Sequence, residues 1–348
     1  MAQLITVSAP GKLMLLGEHA VVYGRPCIVT AVDQRMKATV EITKEPNFEL
    51  QAPDVKITDY KKAIEDVGFG EVPKGAKFVE VAVKNFLDCH PERSEGSLAN
   101  ASQNKSGDSS AMPQNDKFGV RITTQSEFSS EFGFGSSSAS TVCVIKALSE
   151  ITGVNLDNKS IFDLAYKTVL DIQGKGSGFD AAAAVYGGIL YYVIGGKVIE
   201  PLNIDSLPLI VGYTGIKVDT VALINEVSKK GEKYPQVIEN VYGQIEKLVE
   251  QAKVALLNKD FQSLGELMNF NEGYLSTLGV EGKKLADMIY GARNAGAYGA
   301  KLSGAGIGDC MIAIAPEDKT QAVKDAITAA GGKVIDVETN VEGVRVEG

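Results

Sequence analysis

Two histidines in 348 residues exclude a multi-histidine metal site. The four cysteines, Cys27, Cys89, Cys143 and Cys310, show no paired spacing, and three of them stand in apolar runs such as Thr141-Val142-Cys143-Val144-Ile145. Buried free thiols are therefore expected rather than a disulfide framework. No run of about 18 apolar residues occurs, so no segment reads as a membrane-spanning helix. The opening Met1-Ala2-Gln3-Leu4-Ile5-Thr6-Val7 lacks the basic region and apolar core of a signal peptide, and a cytoplasmic location is expected. Positive charge is in deficit as well. A formal net charge of -9 removes any global attraction to nucleic acid or anionic lipid, and neither is expected as a partner. A polyanionic substrate would need a local device, such as a lysine beside the N–H groups of a helix N-terminus.

With 44% hydrophobic and 23% charged residues the composition is ordinary for a globular protein, and the length suits two domains of roughly 100–200 residues each. Partly alternating β-branched residues over 4–8 and 27–42 read as strands, and 77–87 has the spacing of an amphipathic helix. Residues 90–116 hold almost no large apolar side chain and cannot offset their ordering entropy, so a disordered surface insertion is expected there. A strand follows from Phe118, then a glycine-serine segment opening a helix whose Val144, Leu148 and Ile151 share one face, a second helix over 160–173 and a strand over 189–194. Gly195-Gly196 and the stretch 201–208 read as turn and linker, which divides the chain into 1–200 and 201–348. The second part starts with a strand over 207–213, runs through helical patterns at 218–229, 234–257, 261–278 and 282–297, and closes with strands at 310–315 and 333–337 around one more helix. Helices mixed with non-adjacent strands favour an α+β fold over a regular βαβ repeat.

Four segments combine small residues with a polar group beside the end of an element. In Ala9-Pro-Gly-Lys12 a strand is expected to end in a Pro-Gly turn carrying Lys12, and a further glycine precedes Glu18-His19. Alone, these are equally a solvated lysine and a surface pair. Glu131-Phe-Gly-Phe-Gly-Ser-Ser-Ser138 runs straight into a helix. That is the form of an anion cradle, in which glycines expose backbone N–H groups and a serine hydroxyl can also ligate Mg²⁺, although a flexible turn with a serine cap has the same letters. Gln173-Gly-Lys-Gly-Ser-Gly-Phe-Asp180 sets one acid between a glycine loop and an apolar stretch. Such a carboxylate needs a cation or ligand hydroxyl nearby, unless it simply caps a helix. In Lys301-Leu-Ser-Gly-Ala-Gly-Ile-Gly-Asp-Cys310, alternate glycines precede a strand, which fits either a close approach to ligand or a tight hairpin.

Rival nucleotide-binding signatures are missing. There is no Gly-x4-Gly-Lys-Ser/Thr, no His-Arg-Asp or Asp-Phe-Gly, and the run from Gly304 to Gly308 precedes a strand rather than a helix. Taken in order, the four segments resemble the GHMP family of galactokinase, homoserine kinase, mevalonate kinase and phosphomevalonate kinase, over residues 8–315 apart from the insertion. The resemblance implies an α+β fold of two domains, the first like the second domain of ribosomal protein S5 and the second ferredoxin-like, with the active site between them. It implies Mg²⁺ as cofactor and ATP as co-substrate. It further implies Asp180 and Lys12 as catalytic residues, and Gly133, Gly135, Ser136, Ser137 and Ser138 as the phosphate cradle, with Ser137 on the metal. Glu18, His19, Ser303, Gly304, Ala305, Gly306 and Thr220 are implied around the acceptor.

Within the family, Gly17-Glu-His-Ala-Val-Val-Tyr-Gly24 is most like the mevalonate kinase branch, and the segment around Asp180 is more like the phosphomevalonate kinase branch. Phosphorylation of the primary hydroxyl of mevalonate is expected, with phosphomevalonate kinase activity as the alternative and a non-catalytic ligand-sensing relative as an alternative of another class. A homodimer is compatible with the resemblance. Two departures stand out. The position eleven residues before the catalytic aspartate, where animal-type mevalonate kinases carry a metal-ligating glutamate, is Val169, with Asp171 as the nearby substitute. In the last glycine loop, Ile307 and Asp309 stand where many relatives have glycine.

Overall fold

The computed structural model describes residues 4–89 and 118–348, so the expected insertion at 90–116 lies outside the described residues. In chain order the elements are β1 (Leu4–Leu16), β2 (Pro26–Thr43), β3 (Asn47–Ala52), β4 (Ile57–Ala63), α1 (Lys77–Cys89), β5 (Gly119–Ser126), α2 (Ser136–Ile151), α3 (Asn158–Gln173), α4 (Phe179–Tyr186), β6 (Ile189–Val193) and β7 (Val198–Leu202). They continue with β8 (Leu209–Tyr213), α5 (Thr220–Lys233), α6 (Pro235–Leu257), α7 (Phe261–Leu278), α8 (Lys283–Asn294), β9 (Gly299–Ser303), β10 (Cys310–Ile314), α9 (Thr320–Ala329), β11 (Lys333–Ile335) and β12 (Arg345–Val346).

Among the described residues the first sheet has eight strands, in the order β12-β1-β2-β5-β3-β4, with β6 on β2 and β7 on β6. The β3–β5 pair is parallel and the other pairs antiparallel. β2 is long enough to serve two neighbours: its first residues, 26–30, pair with β6 and its last, 36–43, with β5. The expected Pro-Gly turn is not a turn. β1 runs on through Pro10 and Gly11 with a register shift between them, so the missing proline N–H is absorbed by a bulge and Lys12 stays on a strand. α2 is buried almost all round, with Val142, Val144, Ile145 and Leu148 at 1% exposure or less, as befits a helix packed between β1–β2 and the helices α1, α3 and α4.

The second sheet has the order β11-β8-β10-β9, with every pair antiparallel. α7 and α8 pack on β9, α9 lies on β8, and α6 pairs with α7 while reaching β1 and β2 of the first sheet. The division expected at residue 200 needs one amendment. The chain returns at its end: Thr339 bridges Val32, Glu342 bridges Gly187, and β12 pairs with β1. The final residues of the range 201–348 therefore belong to the first sheet, where they cover the outer edge of β1.

Candidate active site

The glycine-serine segment supplies a helix N-terminus open to ligand. Gly133 and Gly135 both sit in the left-handed region, φ 75° and 79°, and a Cβ on Gly133 would lie 2.9 Å from the Asp309 carboxyl carbon. The first bond of α2 runs from the Ala139 N–H to the Gly135 carbonyl at 3.0 Å, leaving the N–H groups of Ser136, Ser137 and Ser138 without a helical acceptor. The Ser137 carbonyl accepts the hydroxyls of Ser140 and Thr141, at 2.9 and 2.8 Å, whereas its own hydroxyl makes no hydrogen bond among the described residues. Free N–H groups at the positive end of a helix dipole bind anions.

Against this cradle stands the bulged part of β1. The Lys12 N–H donates to the Phe134 carbonyl at 3.0 Å, and its ammonium donates to the Gly133 carbonyl at 2.9 Å. The same ammonium meets Asp180 Oδ1 at 3.0 Å and lies 5.2 Å from the centre of the Phe179 ring. Asp180 does not cap α4. That place falls to Gly178, at φ 88°, and Asp180 sits inside the first turn with 30% of its side chain exposed against 8% for Lys12. One wall thus carries a buried cation, an accessible carboxylate and an anion cradle.

A further part of the lining comes from the last glycine loop, which is both a β9–β10 hairpin and part of the cleft. His19, at φ 60° and 5% exposed, shares a 2.8 Å hydrogen bond between Nε2 and the Ala305 carbonyl. Burial lowers the pKa of its ring, so the neutral imidazole donates there. Glu18 pairs with Lys301 through Oε1 only, both side chains being buried and Oε2 having no hydrogen-bond partner, and burial raises its pKa in spite of that partner. Its neighbour Glu272 accepts the Leu302 N–H at 2.8 Å and is pushed up to about 7 by burial.

Of the residues expected at the site, Lys12, Glu18, His19, Gly133, Gly135, Ser136, Ser137, Ser138, Asp180, Thr220, Gly304 and Ala305 all line one cleft. Ser303 does not. It clasps β1 instead, donating to the Met14 carbonyl and accepting the Met14 N–H at 3.0 Å each. Gly306 packs on Val280 and is absent from the lining. Asp171, the expected substitute metal ligand, is on α3 outside the cleft, held by Lys167 at 2.6 Å and Asn85 at 2.9 Å. Val169 does line the cleft, as an apolar residue. Sequence reasoning passed over Lys175 and Lys217. Both line the cleft, and Lys217 donates to the Ser130 carbonyl at 2.9 Å, across from the second domain to the first. Their only signal was positive charge in glycine-containing loops.

A cleft that joins an anion cradle, a lysine–aspartate pair and a glycine hairpin across two α+β domains defines a kinase for small molecules. The family model described as GHMP kinases N terminal domain matches residues 97–188, and that described as GHMP kinases C terminal matches residues 252–333. The chain belongs to the GHMP kinase family, and its class is that of ATP-dependent small-molecule kinases. More narrowly, it is 35% identical over 354 residues to a mevalonate kinase of Thermococcus onnurineus, covering 99% of this chain and 98% of that one. It is likewise 35% identical over 358 residues to a mevalonate kinase of Pyrococcus abyssi, at 100% and 99% coverage. The solved structure of L. major mevalonate kinase in complex with R-mevalonate superposes with a TM-score of 0.73 at 25% identity, covering 96% of this chain and 95% of that one.

Proposed function

We propose that this protein transfers the γ-phosphate of ATP to the primary hydroxyl of mevalonate, giving 5-phosphomevalonate. The observation that carries the reading is the 3.0 Å contact of Lys12 with Asp180 beside the open N-terminus of α2. Phosphoryl transfer asks little covalent chemistry of a protein and much positioning and charge stabilisation. In this reading the free N–H groups of Ser136, Ser137 and Ser138 hold phosphate oxygens, and Lys12 meets the charge that spreads over the transferring group. Asp180 accepts a hydrogen bond from the acceptor hydroxyl and aims it. Proton transfer comes late, because a carboxylate is too weak a base to ionise an alcohol before attack.

Mg²⁺ suits a site whose donors are oxygens, and the unpartnered Ser137 hydroxyl fits it; the ion would offset phosphate charge. Glu18, His19 and Ala305 wall the acceptor side. Full-length similarity to proteins named mevalonate kinase supports mevalonate as that acceptor. A second reading, 5-phosphomevalonate as acceptor, draws on Lys175 and Lys217 in the same cleft, since two further cations suit a phosphorylated substrate. An ADP-release assay with each acceptor decides between them. Turnover on mevalonate alone is expected, turnover on 5-phosphomevalonate alone favours the second reading, and turnover on neither returns the non-catalytic alternative.

A further inference from the structure

We infer that the Asp309 carboxylate is a ligand for the divalent cation that accompanies the nucleotide phosphates, in place of the acid that is missing at Val169. The inference rests on the kinase reading above. Three carboxylates line the cleft: Glu18, Asp180 and Asp309. Glu18 is ion-paired with Lys301 through Oε1, its Oε2 being left without a partner, and Asp180 is ion-paired with Lys12. Asp309 is in no ion pair among the described residues, is 5% exposed, and has an Oδ1 atom with no hydrogen-bond partner. A buried carboxylate oxygen left without a partner is costly, and a partner that arrives with the ligand removes that cost.

The surroundings hold the group in place. The Asp309 N–H donates to the Ile216 carbonyl at 2.8 Å, and the Asp309 carbonyl accepts the N–H and the hydroxyl of Thr214 at 3.0 and 2.9 Å. The carboxyl lies against Gly133 of the phosphate loop so closely that a Cβ there would meet Oδ2 at 2.9 Å. It keeps this position at φ 55°, a backbone conformation that glycine would occupy with less strain. Lys217 and Lys12 lie near enough to favour the charged carboxylate, but neither comes within ion-pair distance of it. Mg²⁺ in kinase sites takes one or two carboxylates, with phosphate oxygens and water completing its shell. One aspartate lining the same cleft as the Ser137 hydroxyl is enough for such a shell, without a cluster of three acidic, histidine or cysteine ligands, of which there is none among the described residues.

The test measures Mn²⁺ binding by electron paramagnetic resonance in the presence of the non-hydrolysable analogue AMP-PNP, on wild type, Asp309→Asn, Asp309→Gly and Asp171→Asn. Asp309→Gly suits the positive φ at this position and is expected to fold as wild type, which its far-UV circular dichroism checks. Both Asp309 variants are expected to lose about tenfold or more in Mn²⁺ affinity within the nucleotide complex. AMP-PNP without metal should bind as in wild type or more tightly, because a negative charge has gone. Asp171→Asn should match wild type. Wild-type Mn²⁺ affinity in both Asp309 variants overturns the inference and leaves the kinase reading standing, as does weakening of AMP-PNP to the same extent with and without Mn²⁺. Absence of any Mn²⁺–nucleotide complex in the wild type overturns both.

Discussion

Lys12 and Asp180 act as one unit. The lysine touches the carboxylate at 3.0 Å and the phosphate loop at 2.9 Å, so either substitution disturbs both charge and loop. Asp180→Asn keeps the size and removes the acceptor of the hydroxyl proton. Its kcat is expected to fall by about 10²–10⁴, with ATP affinity changed only a few-fold, as steady-state kinetics and nucleotide titration will report. Unchanged turnover removes Asp180 from the mechanism. A second residue tests strain rather than chemistry. Ile307 is a β-branched residue at φ 63°, with 39% of its surface exposed, so only partial burial is set against its backbone penalty. Ile307→Gly is expected to raise the free energy of unfolding by about 1 kcal/mol in urea titration.

At the scale of elements, the contact of α7 with β9 contains a titrating group. Glu272 is 2% exposed, accepts the Leu302 N–H and has a pKa of about 7 against an ordinary 4.5. The folded state therefore keeps a proton that the unfolded chain loses first. This contribution is full below about pH 4.5 and is lost as pH rises through about 7, by about 3 kcal/mol at 1.36 kcal/mol per pH unit. Thermal unfolding between pH 5 and 8 should show that downward slope in the wild type and a flatter one in Glu272→Gln; equal slopes would exclude Glu272 as its source.

The elements also differ in how much the sequence discloses. α2, α3 and the four long helices of the second half were legible because their apolar spacing reports burial directly. β3 and β4 were not: Asn47–Ala52 is short, and Ile57–Ala63 is an outer strand with charged, largely uncovered side chains. The bulge at Pro10 imitates a turn locally, and only pairing with β2 reveals a strand. At the site, Lys12, the serines and Asp180 stand in motifs that carry their own signal. The pairing of Glu18 with Lys301 and the approach of Asp309 to Gly133 join segments with no shared local pattern, and geometry alone brings them together.

For the whole molecule, the returning chain end is a structural tie. The buried guanidinium of Arg35 donates to the carbonyls of Glu342 and Gly343 at 2.9 and 2.8 Å, and to the hydroxyl and carbonyl of Ser8 at 2.7 and 3.1 Å. Arg35→Met strips partners from several buried acceptors at once and is expected to cost about 2–4 kcal/mol, seen as a lower Tm and faster proteolysis near residue 340. An unaltered Tm would show that the tail is not held this way. The same tie bears on biosynthesis. β1, which bears the phosphate-binding lysine, is translated before the other described strands, and its outer neighbour β12 after them. Completion of the first sheet thus waits for translation of the second lobe, and a chain released early is left with an open hydrogen-bonding edge beside its own catalytic machinery, a natural handle for chaperones and proteases.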